Sequence, residues 1–429
     1  MPPRRVDRAD PNHHPFLPSY SAAVKLSRDA GVLLSTRALR SFGDGFVSVL
    51  LAKYLAQLDF SGLRIGAVAT AALLGTAVMT LAFGVLANRL GRRRLLLAGA
   101  LLAAGTGFAM ASSSAFVPVL LIALIGTLNP TAGDVGVFLP MEQAILPETV
   151  ADARRTQLFA RYNLAGALAA AAGALFAAAP SLLHRALGWD ALGLLRGMFV
   201  LYGALALANF ARYRALSPGV EVAEPTVRAP LHRSRGVVMR LSALFALDAF
   251  AGGFVVQSIL ALWLFRRYGL SVEQAALIFF AAGTLSAFSF LVAARVAARF
   301  GLINTMVFTH LPSNIFLILV PLMPTAWLAV AMLLLRQSLS QMDVPTRQSY
   351  TMAVVEPDER AAAASATGVA RSLSASGGPV LAGALLGATA FGWPLIIAGS
   401  LKSMYDLLLL RQFASLKPAE ERAPVDTGP

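Results

Sequence analysis

Twelve apolar runs, each about the length of a membrane-crossing helix, alternate along this chain with short polar turns. They cover residues 31–56, 63–87, 94–112, 115–144, 156–179, 191–211, 236–265, 272–297, 303–322, 326–346, 362–388 and 392–411. Hydrocarbon offers no water to satisfy bare backbone, so a spanning segment must be a helix of roughly 20 mostly apolar residues. The pattern predicts an all-α integral membrane protein of twelve transmembrane helices. Four runs are interrupted by polar residues. The first carries Arg37, Arg40 and Asp44, and the fourth carries Asp134, Glu142 and an Asn129-Pro130 break. The seventh carries Asp248 and Gln257, and the tenth carries Arg336, Gln337, Gln341, Asp343 and Arg347.

The sharpest punctuation lies between the second and third runs, where GVLANRLGRRR occupies Gly84–Arg94. A weaker copy, ARVAARFG, ends at Gly301, and Arg89/Arg299 and Gly91/Gly301 are both 210 residues apart. The same offset relates Pro147 to Pro357 and Arg161 to Arg371, and Asp134 and Asp343 are 209 apart. The chain therefore reads as a duplication. It divides into a tail (1–30), a six-helix bundle (31–211), a polar, Pro-bearing linker (212–235), a second bundle (236–411) and a closing tail (412–429). Two homologous bundles around one pathway form a transporter architecture.

Composition sharpens the class. The chain has 429 residues, 57% hydrophobic and only 14% charged, against roughly 25% charged in average soluble domains. Its formal net charge of +14 does not gather into a nucleic-acid patch. The arginines sit instead in alternate turns, which predicts that both termini are cytoplasmic, in a plasma membrane of bacterial inner-membrane type. The absence of cysteine excludes disulfides and thiolate metal sites. No nucleotide loop, metal-ligand cluster or nucleophile constellation is present, so an enzyme or ATP-driven pump is not expected, and neither a cofactor nor a bound metal is expected.

These features resemble the major facilitator superfamily over essentially the whole chain. The family's G-x-x-x-D-x-x-G-[RK]-[RK] turn is matched by Gly84, Asn88, Arg89, Gly91, Arg92 and Arg93, with Asn88 where aspartate is usual. Its P-E-x6-R loop is matched by Pro147, Glu148 and Arg155, and Pro357, Glu359 and Arg360 form a degenerate copy. The resemblance implies alternating access around a site lined by the first and fourth helices of each half. It also implies a cytoplasmic latch in which Glu148 meets Arg92 or Arg93 in one state only. Those are the four runs in which intramembrane polarity is densest.

A mid-membrane charge costs about 2.5–3.5 kcal/mol on insertion scales, so it needs an interior position and a partner. Arg40, Asp44, Asp248, Gln257, Arg336, Gln337 and Gln341 are the candidate substrate or proton cavity. Asp134, Glu142, Arg161, Asp343, Arg347 and Arg371 are candidate structural or gating charges. Arg161 is expected to pair with Asp134 and Arg371 with Asp343. Arg40 and Asp44 are four residues apart, as are Lys402 and Asp406, and each couple is expected to pair along its helix. Asp248 has no basic neighbour one turn away and is the expected proton carrier. His310 reads as structural, and Trp263, Trp327 and Trp393 as an interfacial belt.

The first functional expectation is proton-coupled efflux of a small solute by a monomer whose only other partner is the lipid bilayer. The string SGGPVLAG at Ser376–Gly383 resembles the family's exporter motif and favours it. Proton-coupled import of a metabolite anion, clamped by Arg40 and Arg336, is the alternative. A transport-inactive sensor or assembly partner is the reading from another class.

Overall fold

The computed structural model describes residues 27–131, 136–149, 155–221, 231–356, 359–414 and 416. Among them the chain is all helix and turn. The first half contains α1 (Arg28–Gln57), α2 (Gly62–Leu90), α3 (Arg92–Ser112), α4 (Phe116–Ile125), α5 (Leu139–Ile145), α6 (Arg155–Phe176), α7 (Ala179–Leu187) and α8 (Ala191–Tyr213). The second contains α9 (Arg235–Gly253), α10 (Gln257–Tyr268), α11 (Val272–Phe300), α12 (Leu302–Leu319), α13 (Ala326–Ser340), α14 (Asp343–Ala353), α15 (Arg360–Ala388) and α16 (Trp393–Phe413). Eight continuous segments are long and apolar enough to cross a membrane. The other four spans, α1, α4–α5, α13–α14 and α15, dilute their hydropathy with charges, polar breaks or small residues. Together they make twelve.

Local chemistry sets the ends. Ser27 caps α1 by accepting the Ala30 amide at 3.1 Å, and Ser271 with Gln274 forms a reciprocal capping box at α11. The repeat-related turns adopt one backbone shape: Gly91 has φ 85° and Gly301 has φ 84°, a conformation that a Cβ disfavours. Both close their preceding helix, the Gly91 amide donating to the Ala87 carbonyl and the Gly301 amide to Ala297. Where the fourth and seventh spans break, their freed backbone groups meet, and the Ser258 amide donates to the Pro130 carbonyl at 3.1 Å.

Among the described residues, the polar contacts between α1–α8 and α9–α16 lie in the half of the molecule remote from Gly91. Gln257 donates to Ser48 at 2.9 Å, the Val380 amide to Thr70 at 3.1 Å, and Arg185 pairs with Glu273 at 2.5 Å. Glycines let α2 and α15 close there backbone to backbone. A Cβ on Gly66 would stand 2.3 Å from the Pro379 carbonyl, and one on Gly383 the same distance from Gly62. Among the described residues, the halves are clasped at that end. Large apolar side chains such as Val85, Phe288 and Phe308 face outward, as lipid contact requires. Trp327 and Trp393 are exposed as a belt expects, but Trp263 is 0% exposed. It packs under Gly392 and against Tyr268, so α10 uses it as core.

Candidate functional site

The intramembrane charges resolve into two buried clusters and an open cavity between them. In the first half, Arg40 on α1 reaches Glu142 on α5 at 2.6 Å. Glu142 also accepts hydrogen bonds from Thr36, Tyr213 and Tyr162. Four donors from three other helices outcompete the Asp44 carboxylate one turn away, so the expected Arg40–Asp44 pair does not form. Asp44 instead accepts from the neutral Asn129 at 3.3 Å and Tyr202 at 3.5 Å. No salt bridge to Asp44 occurs among the described residues.

In the second half the carboxylates are tightly compensated. Asp248 on α9 receives Lys402 at 2.5 Å, Arg371 at 3.1 Å and Arg347 at 3.6 Å. Arg347 also holds Asp343 at 2.6 Å along α14. Arg371 therefore pairs with Asp248 rather than with Asp343. Lys402 likewise turns away from Asp406, which is taken by His310 at 2.9 Å and Asn314 at 2.8 Å. Three cations surround Asp248, although its own helix offers no basic residue one turn away. Asp44 is met by the neutral donors Asn129 and Tyr202, with Arg40 one turn away on the same helix. Arg161 is described without a carboxylate partner, and Asp134 lies outside the described residues.

The cavity has a volume of about 310 Å³, at the lower end of the roughly 300–1,000 Å³ of organic-ligand sites. Gln257, Arg336, Gln337 and Gln341 line it as expected, joined by Arg37 and Lys402. Arg40, Asp44 and Asp248 are not among its described lining residues; Arg40 lines a separate small pocket with Phe138, Tyr202 and Asn209. Arg336 donates to Gln337 at 2.7 Å, and its Nε has no protein acceptor. Among the described lining residues, every ionisable side chain is cationic. Much of the wall comes from helices that charge counting passed over: Gly166, Ala167, Ala170 and Ala171 of α6 face Phe279, Ser286 and Phe290 of α11. Alanine and glycine in a membrane helix read as packing residues, and only the gap between the halves reveals them as lining.

At the Gly91 end, the basic turn is engaged by the linker. Glu221 accepts the Arg92 amide at 2.6 Å and the Arg93 amide at 3.3 Å, capping α3 where the helix dipole favours an anion. Arg93 donates to the Arg214 carbonyl, and Ser217 donates twice to Asp29. Gly91 is needed for the acid's approach, since a Cβ there would lie 2.7 Å from a Glu221 oxygen. Arg89 is exposed, and a Cβ on Gly84 would meet nothing within 4 Å, so close helix packing does not explain Gly84. The side chains of Asn88, Glu148 and Arg155 lie outside the described residues. In the second half, Glu359 accepts the amides of His232, Arg233 and Ser234 at 2.8–2.9 Å. These backbone donors, His232 foremost, hold its carboxyl down at about 2.

The sequence model of the Major Facilitator Superfamily matches residues 33–379 of this chain. The chain belongs to the Major Facilitator Superfamily. It is accordingly a multi-pass membrane transporter, not an enzyme, and needs no cofactor for its work. An uncharacterized membrane protein of Saccharomyces cerevisiae is 24% identical over 422 residues, covering 90% of this chain and 94% of the yeast protein. A solved bacterial homolog of the human lysosomal transporter Spinster, inward-facing and unoccupied, is 17% identical with a TM-score of 0.71, covering 94% of this chain and all of that one. The xylose transporter XylE from E. coli, partially occluded and inward open, is 15% identical with a TM-score of 0.67, covering 92% of this chain and 100% of XylE. The human organic anion transporter TETRAN is 16% identical with a TM-score of 0.61, covering 89% of this chain and 99% of TETRAN. At these identities the solved superfamily members share the fold with this chain, and the solute is a matter for its own cavity.

Proposed function

We propose that this chain is a proton-coupled symporter of a small organic anion, working as a monomer in a plasma membrane with its Gly91 end and both termini in the cytoplasm. The observation that carries this is the sign of the cavity: Arg37, Arg336 and Lys402 are its described ionisable lining. Lys402 is balanced by Asp248, while Arg336, among the described residues, meets a neutral amide acceptor and no carboxylate. A carboxylate, sulfonate or phosphate on Arg336 would gain charge-assisted hydrogen bonds. The sign also bears on coupling. A proton on Asp44 and an anion in the cavity each lower the electrostatic cost of the other, so they bind together and move together. A cationic solute would compete with the proton, which is the antiport arrangement that efflux needs. The cationic cavity therefore favours import of an anion over the efflux suggested by Ser376–Gly383. In this reading the halves 31–211 and 236–411 rock about the 212–235 linker, and the state described is inward-open, like the Spinster homolog and XylE structures.

The test is transport by the purified full-length protein in proteoliposomes loaded with a pH dye. Methanesulfonate and benzenesulfonate serve as probes because they stay ionised and do not leak as neutral acids. At least one is expected to carry protons in its own direction. Arg336→Gln should raise its KM about 10- to 150-fold, the equivalent of the roughly 1.5–3 kcal/mol of a hydrogen bond to a charged group. Asp44→Asn should abolish proton movement while retaining anion exchange. Proton movement against the probe, or an unchanged Arg336→Gln variant, would overturn the reading.

A further inference from the structure

Lys402 has a choice of two acids. It sits on α16 four residues before Asp406, so the two share a helix face. Its ammonium nevertheless crosses to α9, where it meets Asp248 at 2.5 Å and lies 3.8 Å from where a Cβ of Gly252 would stand. Gly252 and Lys402 both line the cavity. Asp248 does not depend on that contact alone, since Arg371 reaches it at 3.1 Å and Arg347 at 3.6 Å. Asp406 is fully buried, where a bare carboxylate would be costly. Two side chains of α12 satisfy it: His310 meets one of its oxygens at 2.9 Å, and Asn314 donates to the other at 2.8 Å. His310 and Asn314 are themselves buried, and neither is among the described lining residues of the cavity.

We infer that His310 and Asn314 are positioning residues for the anion site: by occupying Asp406 they leave Lys402 on Asp248, with its charge in the cavity wall. The functional consequence rests on the anion reading above; the position of Lys402 is read separately. Without the α12 pair, the cation one turn away on Asp406's own helix is Lys402. A buried acid stripped of both partners draws that ammonium, because the alternative is an uncompensated charge. Asp248 keeps Arg371 and Arg347 after the exchange, so the move strands no carboxylate. The cavity loses one of its described cations, leaving Arg37 and Arg336. The charge of the cavity is thereby set from α12, a helix that contributes nothing to its described lining.

The experiment uses the full-length protein in nanodiscs and reads Lys402 directly. The chain has four lysines, Lys25, Lys53, Lys402 and Lys417, so acetylation by acetic anhydride can be followed at Lys402 by mass spectrometry, with Lys53 as the internal reference. His310→Phe combined with Asn314→Leu should slow acetylation of Lys402 severalfold. The same variant should raise the Kd for benzenesulfonate roughly fivefold, as expected for the loss of a partly screened unit charge. Adding Asp406→Asn should restore both, because the competing acid is gone. In a Lys402→Met background the two α12 substitutions should add nothing further to the loss of affinity, whereas a merely structural role would still lower it. If the α12 pair fails to fold, Asn314→Leu alone should slow acetylation by a smaller factor, which Asp406→Asn again removes. Unchanged acetylation of Lys402 in a folded α12 variant, or a loss of affinity that persists in full on Lys402→Met, overturns the inference. If acetylation slows as expected while benzenesulfonate binds neither parent nor variant, the anion reading falls and the control of Lys402 from α12 stands.

Discussion

Adding a single methyl group to Gly66 should turn the protein inside out. The Cβ of Gly66→Ala would stand 2.3 Å from the Pro379 carbonyl, where ordinary contact begins at 3.4 Å. The α2–α15 seam must open there by about 1.1 Å, and both partners are backbone, so no side chain can swing aside. Overpacking of this kind costs about 1–3 kcal/mol. The cost falls only on the state in which the remote ends are clasped, so the equilibrium shifts towards the other state by about 5- to 150-fold. The chain has no cysteine, so Val255→Cys, in the cavity wall, can report on access alone. An impermeant maleimide applied from the side remote from Gly91 should label it slowly in the parent and faster by that factor in Gly66→Ala. Gly84→Ala is the control, because its added methyl meets nothing within 4 Å. A Gly66→Ala protein that runs as a folded monomer on gel filtration yet labels like the parent would refute the reasoning.

Further expectations follow from the charge clusters. Asp248→Asn should lower stability by about 3–5 kcal/mol, the usual penalty for stranding buried countercharges, and thermal unfolding should recover in part when Lys402→Met is added. Asp44→Asn strands no ion-pair partner and should unfold close to the parent temperature. Glu359 is held at about 2 by the His232, Arg233 and Ser234 amides, below its unfolded value of about 4.3. Its contribution is therefore fully present above the unfolded value and is lost as pH falls towards 2. The gap in unfolding temperature between parent and Glu359→Gln should be constant above pH 5 and narrow steadily below pH 4. Glu221→Gln weakens the charge-assisted bonds to the Arg92 and Arg93 amides; losing about 1 kcal/mol there should speed limited proteolysis within 212–235 roughly fivefold.

The spans, the duplicated turn and the polarity of four helices were legible because each is a periodic or repeated signal. The choice of partners was not. A four-residue spacing shows what a helix offers itself, a pairing worth only about 0.2–0.5 kcal/mol. Glu142, reached by Arg40 and three hydroxyls, offers far more, and it sits 102 residues from Arg40. Lys402 and Arg371 illustrate the same point, each leaving its expected acid for Asp248. The linker's Glu221 was missed for another reason. Glu221 sits in a segment whose prolines and charges look merely solvated, and its capping role depends on the tertiary approach of a helix 128 residues away. The alanine wall of α6 had a visible pattern, but bundle packing and cavity lining ask for the same small residues.

The two glycine turns offer an internal comparison. The two turns lie 210 residues apart in corresponding places of the two halves. Both have the glycine, its φ the same within 1°, and an arginine two residues earlier, Arg89 or Arg299. Only the first has the three arginines that follow; the second has Leu302, Ile303 and Asn304. The left-handed glycine is thus the feature that both turns share. The basic cluster belongs to one copy alone, the copy whose bend is seated on Glu221.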